Sequence, residues 1–231
     1  MTPEQIQRLL TEPLYSWDVS ALLSGIVDYL AFSEQNLASQ REQEVQRARE
    51  EADAMDALEF GPENADLVPQ ARKQIVESAE LHFDIVLSQS VRYGGIVAYV
   101  TSVEWCMKLF AGRLVLPAPK KPERTNQAVH VLEHLNKLVA VPLSEQASKL
   151  QRIVTVRNCI VHAAGLLNEY KYGAAEVRTA ITGLNGFSVS NAGWMGDTVH
   201  VAAGAVDQLA REALDWIPAL DKECSTNGAF K

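Results

Sequence analysis

IVDYLAFSEQNLASQREQEVQRAREEADAMDALEF, residues 26–60, contains neither proline nor glycine. Extended back one step, its apolar positions are Leu22, Ile26, Tyr29, Leu30, Leu37, Val45, Ala48, Ala52, Met55 and Leu58, separated mostly by three, four or seven residues. That spacing marks one face of an α-helix rather than a strand. Ser16-Trp17-Asp18 supplies a start. The reading is one helix of roughly 40 residues, about 60 Å long at the usual rise. Its distal half, SQREQEVQRAREEADAMDALE, is strongly charged. No two-in-seven apolar stripe is sustained there for three heptads. The expectation is therefore a solvated helix with mixed-sign neighbours such as Glu44 and Arg47. A coiled coil or a nucleic-acid arm is the alternative.

Phe60-Gly61-Pro62-Glu63-Asn64 breaks the pattern. A second helical run begins near Pro69, with Ile75, Ala79, Phe83, Val86, Leu87, Ile96, Val100, Val103, Met107 and Phe110 on its inward side. Gly94-Gly95 predicts a kink or a close helix contact within it. Two long helices joined by a short polar turn form an antiparallel hairpin. The fold class follows: mainly α, a helical bundle built on a long antiparallel helical hairpin.

The flanks are shorter. Thr2-Pro3-Glu4-Gln5 reads as the start of a helix that ends before Pro13. Three prolines within 117–122 make that stretch a linker, because proline cannot continue a helix. A helix follows from about Thr125 to Ala140, with Val129, Leu132, Leu135 and Val139 inward, and Pro142 stops it. Ser144 fits the N-cap of the next helix, which runs over about 144–165 and stops at Gly165 unless Leu166-Leu167 extend it. A short helix spans about 174–182. GFSVSNAGWMGDTVHVA then predicts a small C-terminal β-hairpin at about 186–202, with Phe187 and Val189 on one strand and Val199 and Val201 on the other. Such a hairpin is marginal alone and must pack on the helices. A last helix covers about 203–220, with Val206, Leu209, Ala213, Trp216 and Leu220 inward, and 222–231 reads as a flexible tail. The expected organisation is a single domain over 1–221, although the linker at 117–122 could divide two.

Bulk properties narrow the chemistry. With 231 residues, 47% of them hydrophobic, the chain can bury a core without disulfides or metal. The formal net charge of −8 counts against strong non-specific nucleic-acid binding, though it leaves room for a local basic cleft. Cys106, Cys159 and Cys224 are far apart and form no CxxC pair, which argues against a disulfide framework or a cysteine zinc site and suits a reducing compartment. MTPEQIQRLL lacks the form of a signal peptide, and no apolar run reaches the roughly 20 residues that span a bilayer. A cytoplasmic protein with no membrane partner is expected.

Within the helix at 144–165 stands RNCIVH, residues 157–162. Asn158 and His162 are four apart and share a face. Arg157 lies about 140° round the axis from His162, within reach for a long side chain. Ile153-Val154-Thr155-Val156 before the motif and Ile160-Val161 inside it make the helix apolar, so it should be substantially buried. A guanidinium there needs a carboxylate, a solvent cleft or a bound anion. His moves a proton near neutral pH, and Arg grips a phosphate with two donors. Cleaving RNA through its own 2′-hydroxyl uses a base and an acid. A two-fold dimer would supply two copies of Arg, Asn and His at one interface, with no metal or other cofactor.

Arg157-Asn158-x-x-x-His162, late in a bundle that begins with a long helical hairpin, resembles the HEPN superfamily (higher eukaryotes and prokaryotes nucleotide-binding). VRNCIVHAAG is similar to that family's motif helix, including the apolar lead-in and the glycine that follows. The resemblance spans about residues 15–168. It implies an all-α fold, a homodimer joined through the motif helices, and metal-independent endoribonuclease activity on an RNA substrate. It also implies a toxin–antitoxin or antiviral defence setting, with a nucleotidyltransferase-like antitoxin as partner. Carried over by position, Arg157 would orient or stabilise the phosphate, His162 would act as general base or acid, and Asn158 would position the substrate or the histidine. The family includes catalytically inactive regulators, so a silent dimeric binding protein is the alternative.

His130 and His134, with Glu133 between them, offer a second pattern. HVLEH has the H-x-x-E-H spacing of a zinc metallohydrolase, although no third ligand is marked among Glu145, Glu169 and Glu176. The competing expectation for the pair is an exposed helix face. His82 is expected at the edge of the core beside Phe83, and His200 in solvent. Cys159 reads as a small buried hydrophobe rather than a nucleophile. GLNGF at 183–187 is a turn, not a phosphate loop. Trp17, Trp105, Trp194 and Trp216 are too scattered to form a platform for bases.

Overall fold

A computed structural model describes residues 15–55, 67–123, 125–139, 143–191, 193 and 196–231. The helix expected before Pro13, the break at Phe60–Asn64 and the stop at Pro142 lie outside these residues. The fold is mainly α with a C-terminal hairpin: α1 (Tyr15–Ala54), α2 (Val68–Leu81), a π-helical segment (His82–Leu87), α3 (Ser88–Arg113), α4 (Gln127–Leu138), α5 (Ser144–Ala163), α6 (Ala174–Ile181), β1 (Phe187–Asn191), β2 (Asp197–Val201) and α7 (Ala205–Thr226). Among the described residues, no helix is long and apolar enough to cross a membrane. The chain divides into two compact units, Tyr29–Arg92 and Tyr93–Lys231 with the chain up to Asp28. The division therefore falls inside α1 and α3, not at the linker.

Within Tyr29–Arg92 the two arms run antiparallel. Arg92 Nε meets Glu34 Oε1 at 2.8 Å. Arg41 grips both oxygens of Asp84 at 2.6 and 2.8 Å, and Arg72 Nη2 meets Asp53 Oδ1 at 2.7 Å. As α1 advances, its partners on the other arm recede along the sequence. Glu44 and Arg47 pair along α1 at 2.8 Å, as a solvated mixed-charge helix requires. Among the described residues of this unit, Leu30, Val45, Ala48, Ala52 and Phe83 are the buried apolar side chains. The irregularity in the second arm is not at Gly94-Gly95, where α3 continues and a Cβ on Gly94 would meet open space. It is the π-helical segment at 82–87. There the Phe83 carbonyl accepts both the Ser88 backbone N–H, five residues on, and the Ser88 hydroxyl at 2.8 Å. His82 is exposed, with its ring edge on Phe83 at 5.6 Å.

In the other unit, Ile96, Val100, Val103, Met107 and Phe110 of α3 are buried, as are Val131, Leu132 and Leu135 of α4, Ile153 and Val156 of α5, and Leu209, Ala213, Ile217 and Leu220 of α7. Some inward positions differ from expectation. On α1 the expected Ile26, Leu30, Val45, Ala48 and Ala52 are buried, but Leu22 and Tyr29 are about half exposed and Leu23 is buried instead of Leu22. On α7 Ile217, not Trp216, holds the buried register.

The flexible tail expected at 222–231 is corrected. Leu220 and Cys224 carry the α7 stripe onward, so the helix runs to Thr226 despite Pro218. Gly228, at φ +68°, reverses the chain, and Ala229 N–H returns to Cys224 O at 2.9 Å. Phe230 is then buried against Phe110 at 5.3 Å, under the Arg113 guanidinium at 4.3 Å. Lys231 N–H donates to Arg113 O. An aromatic side chain found room beside α3, and composition alone does not reveal that.

The hairpin pairs Phe187 with Val201 and Val189 with Val199, as expected. It does pack on the helices. Val199 N–H donates to Gly165 O, Leu167 N–H donates to Asp197 O, and the Tyr93 hydroxyl of α3 donates to Val199 O. The segment leaving α5 thus forms a third line of pairing against β2, with an isolated bridge between Leu166 and Thr198.

Candidate functional site

Helix α5 begins without a side-chain cap. Leu143 occupies the cap position and Ser144 is already helical; the Leu143 N–H is accepted by Asn136 Oδ1 at 2.6 Å. Ile153, Val154, Val156 and Cys159 face the core, Arg157 and Asn158 are half-buried, and Val161 and His162 are exposed. The motif therefore crosses from buried to open surface within two turns. At its end Ala164 adopts φ +50° and Gly165 φ +81°, and Gly165 N–H still reaches Cys159 O. A non-glycine residue in the left-handed region stores strain, here two residues beyond His162.

Arg157 answers its burial with a carboxylate. Its Nη2 meets Glu104 Oε1 of α3 at 2.5 Å, with 22% and 33% of the two side chains exposed. The same oxygen accepts Asn126 Nδ2 at 2.7 Å, while Asn126 Oδ1 caps α4 by accepting Ala128 N–H at 2.8 Å. One polar junction thus ties α3, α4 and α5 together. Arg157 Nε is buried and finds no partner among the described residues, so the guanidinium retains a donor that the junction does not use.

Asn158 lines a cavity of about 680 Å³ together with Asn126, Gln151, Thr155 and Tyr170. His162 lies on the same face one turn on and is exposed. It makes no hydrogen bond or ion pair among the described residues. The three motif residues therefore do not converge within one chain: Arg157 turns to Glu104, Asn158 to the cavity, and His162 to the surface.

Two of the three cysteines are near this region or the tail, and all are buried. Burial pushes the Cys159 thiol up to about 11, which keeps it protonated and inert at neutral pH. The reading of Cys159 as a small hydrophobe fits that environment.

The expectation of an exposed face is corrected for His130, while His134 stays half-buried. His130 is 9% exposed, and its Nε2 lies 2.8 Å from Pro119 O. His134 Nε2 lies 3.4 Å from Leu116 O. The linker folds back over α4. The Pro119 and Leu116 carbonyls face these two imidazoles. A carbonyl only accepts, so Nε2 of His130 carries the proton. Both Nε2 atoms are turned to the linker, and no group of three His, Cys, Asp or Glu with metal-binding geometry occurs among the described residues. Lys121 is likewise drawn into the linker turn, donating to Thr125 O at 2.7 Å.

From the sequence, Arg157 needed a carboxylate, a cleft or an anion; Asn126, Tyr170 and Tyr172 were not singled out, and Glu176 was weighed only as a third zinc ligand. Asn126 directly before an apolar helix was a legible cap signal. The tyrosines and Glu176 carried none, because they reach the site through a loop and a short helix. Comparison with known proteins adds no relative: no family model, no curated protein and no solved structure matches this chain.

Proposed function

We propose that the protein is a metal-independent endoribonuclease whose site is completed by a second copy of the chain, acting in the cytoplasm as a toxin or defence effector. One observation carries the reading. His162 is exposed and unpartnered among the described residues, on the same helical face as the cavity-lining Asn158 and beside an exposed Val161. A second motif helix against that face would cover Val161 and bring another His162 close.

The chemistry then needs no cofactor. One His162 takes the proton of a ribose 2′-hydroxyl, whose oxygen attacks the adjacent phosphorus. The bond from phosphorus to the 5′-oxygen breaks, and that oxygen takes a proton from the second His162. The products are a 2′,3′-cyclic phosphate and a 5′-hydroxyl. Arg157, steadied by Glu104, would offer its remaining donors to the phosphate.

The Arg157–Glu104 pair also favours a second reading, a catalytically silent dimeric binding protein in which the arginine serves only the junction. The test is cleavage of a mixed RNA pool in EDTA by the parent, Arg157→Ala and His162→Ala proteins. Cleavage by the parent alone, leaving cyclic phosphate ends, is expected. Dimers that cleave nothing at high concentration overturn the enzyme in favour of the silent module.

A further inference from the structure

The cavity beside Asn158 has an uncharged polar interior. Val154 and Thr155 form part of its wall and are 3% and 6% exposed, and the Thr155 hydroxyl is spent on Gln151 O. Tyr170 is 5% exposed, yet its hydroxyl has no hydrogen-bond partner among the described residues. The oxygen is not among the buried polar atoms that lack a partner, so it keeps some exposure and is available to a ligand in the cavity that Tyr170 lines. The side-chain amide of Asn158 is unpartnered in the same sense. Glu123, Tyr172 and Glu176 stand exposed at the rim. Burial, and then the nearby Glu176 carboxylate, push the Tyr170 phenol up to about 12. At neutral pH it remains a hydroxyl that can donate.

This lining selects a ligand class. Amide side chains read the mixed donor and acceptor edges of a planar heterocycle, and tyrosine rings offer it apolar surface. Carboxylates such as those of Glu123 and Glu176 accept hydrogen bonds, so they favour an exocyclic amino group with its two N–H donors over the single N3–H of uracil. About 680 Å³ is within the range of small-molecule sites and ample for a base with its ribose. We infer that this cavity is a nucleobase subsite that prefers bases carrying an exocyclic amino group over uracil, read by Asn158, Tyr170 and Glu176. The inference rests on the ribonuclease reading for its role. It makes Asn158 the link between the bound base and His162, so the subsite sets which nucleotide lies at the cleaved bond.

The experiment is equilibrium binding of nucleosides without phosphate to the full-length protein, followed by NMR or calorimetry, beside Tyr170→Phe and Glu176→Gln. Adenosine, guanosine or cytidine should bind at least about tenfold more tightly than uridine. Glu176→Gln, at an exposed position that folding tolerates, should shrink that preference several-fold. Tyr170→Phe should weaken every nucleoside. Equal binding of uridine, or no nucleoside binding at millimolar concentration, overturns the inference. Cleavage of the RNA pool is scored separately. Nucleoside preference without any cleavage removes the ribonuclease and keeps the base site. Cleavage with no nucleoside binding and no base preference removes the base site and keeps the ribonuclease.

Discussion

Gly165→Ala is the most demanding test of how the motif helix is held. Gly165 ends α5 at φ +81°, where an alanine costs about 1–2 kcal/mol through its Cβ alone. That Cβ would also fall against the Tyr93 ring, 2.8 Å from Cζ and 2.9 Å from Cε2, and against its hydroxyl. The ring cannot simply swing aside, because the hydroxyl donates to Val199 O across the hairpin. Overpacking of this kind adds about 1–3 kcal/mol. The expected total is about 2–5 kcal/mol, a large share of an ordinary domain's stability. Denaturant unfolding followed by circular dichroism measures it, with an unchanged slope expected. Gly94→Ala is the control: the same substitution, inside a helix and facing open space, should stabilise by about 0.5–1 kcal/mol. Tyr93→Phe removes the hydroxyl, so in the double variant it should recover about 1 kcal/mol of the Gly165→Ala loss. A loss below about 1 kcal/mol, or strict additivity of the two substitutions, refutes the packing of Tyr93 against the end of the motif helix.

Two further outcomes follow from the ion pairs. Glu104→Ala leaves the half-buried Arg157 guanidinium and Asn126 Nδ2 without their shared acceptor and should cost about 1–3 kcal/mol; a cycle with Arg157→Ala should return a coupling near 1 kcal/mol, and zero coupling would dissolve the junction. Asp84 is held below the usual carboxylate range by its hydrogen bonds from Arg41. Because its folded value lies below its unfolded one, the pair adds stability above about pH 4 that is lost as pH falls through the folded value. Both side chains are well exposed, so Asp84→Asn should cost under about 1 kcal/mol at pH 7. Melting curves of the parent and variant should converge as the pH falls through the folded value, and a gap that widened on acidification would contradict the sign.

Periodicity carried the helices because burial of a stripe is a local property. Ile96, Val100, Val103, Met107 and Phe110 could be named inward from spacing alone, and all five are buried. The hairpin strands were legible for the same reason, through alternation at Phe187, Val189, Val199 and Val201. Side chains that depend on a distant partner were harder to read. His130 looked solvent-facing because the carbonyl it meets belongs to a linker 11 residues upstream. Phe230 looked like part of a loose tail because its pocket is made by Phe110 and Arg113.

The candidate site divides along the same line. Local order alone put Arg157, Asn158 and His162 on one helix, and composition ruled out a broadly basic surface. Only the tertiary structure decided what each one meets: Glu104 for Arg157, a cavity for Asn158 and open surface for His162. Glu104 lies 53 residues from Arg157 in the chain, and a charge attracts whatever opposite charge folding brings close, whatever its distance in sequence. Folding also brought Tyr170 and Glu176 to the cavity that Asn158 lines. The helix is a property of neighbouring residues; the cavity beside it exists only once distant segments have packed.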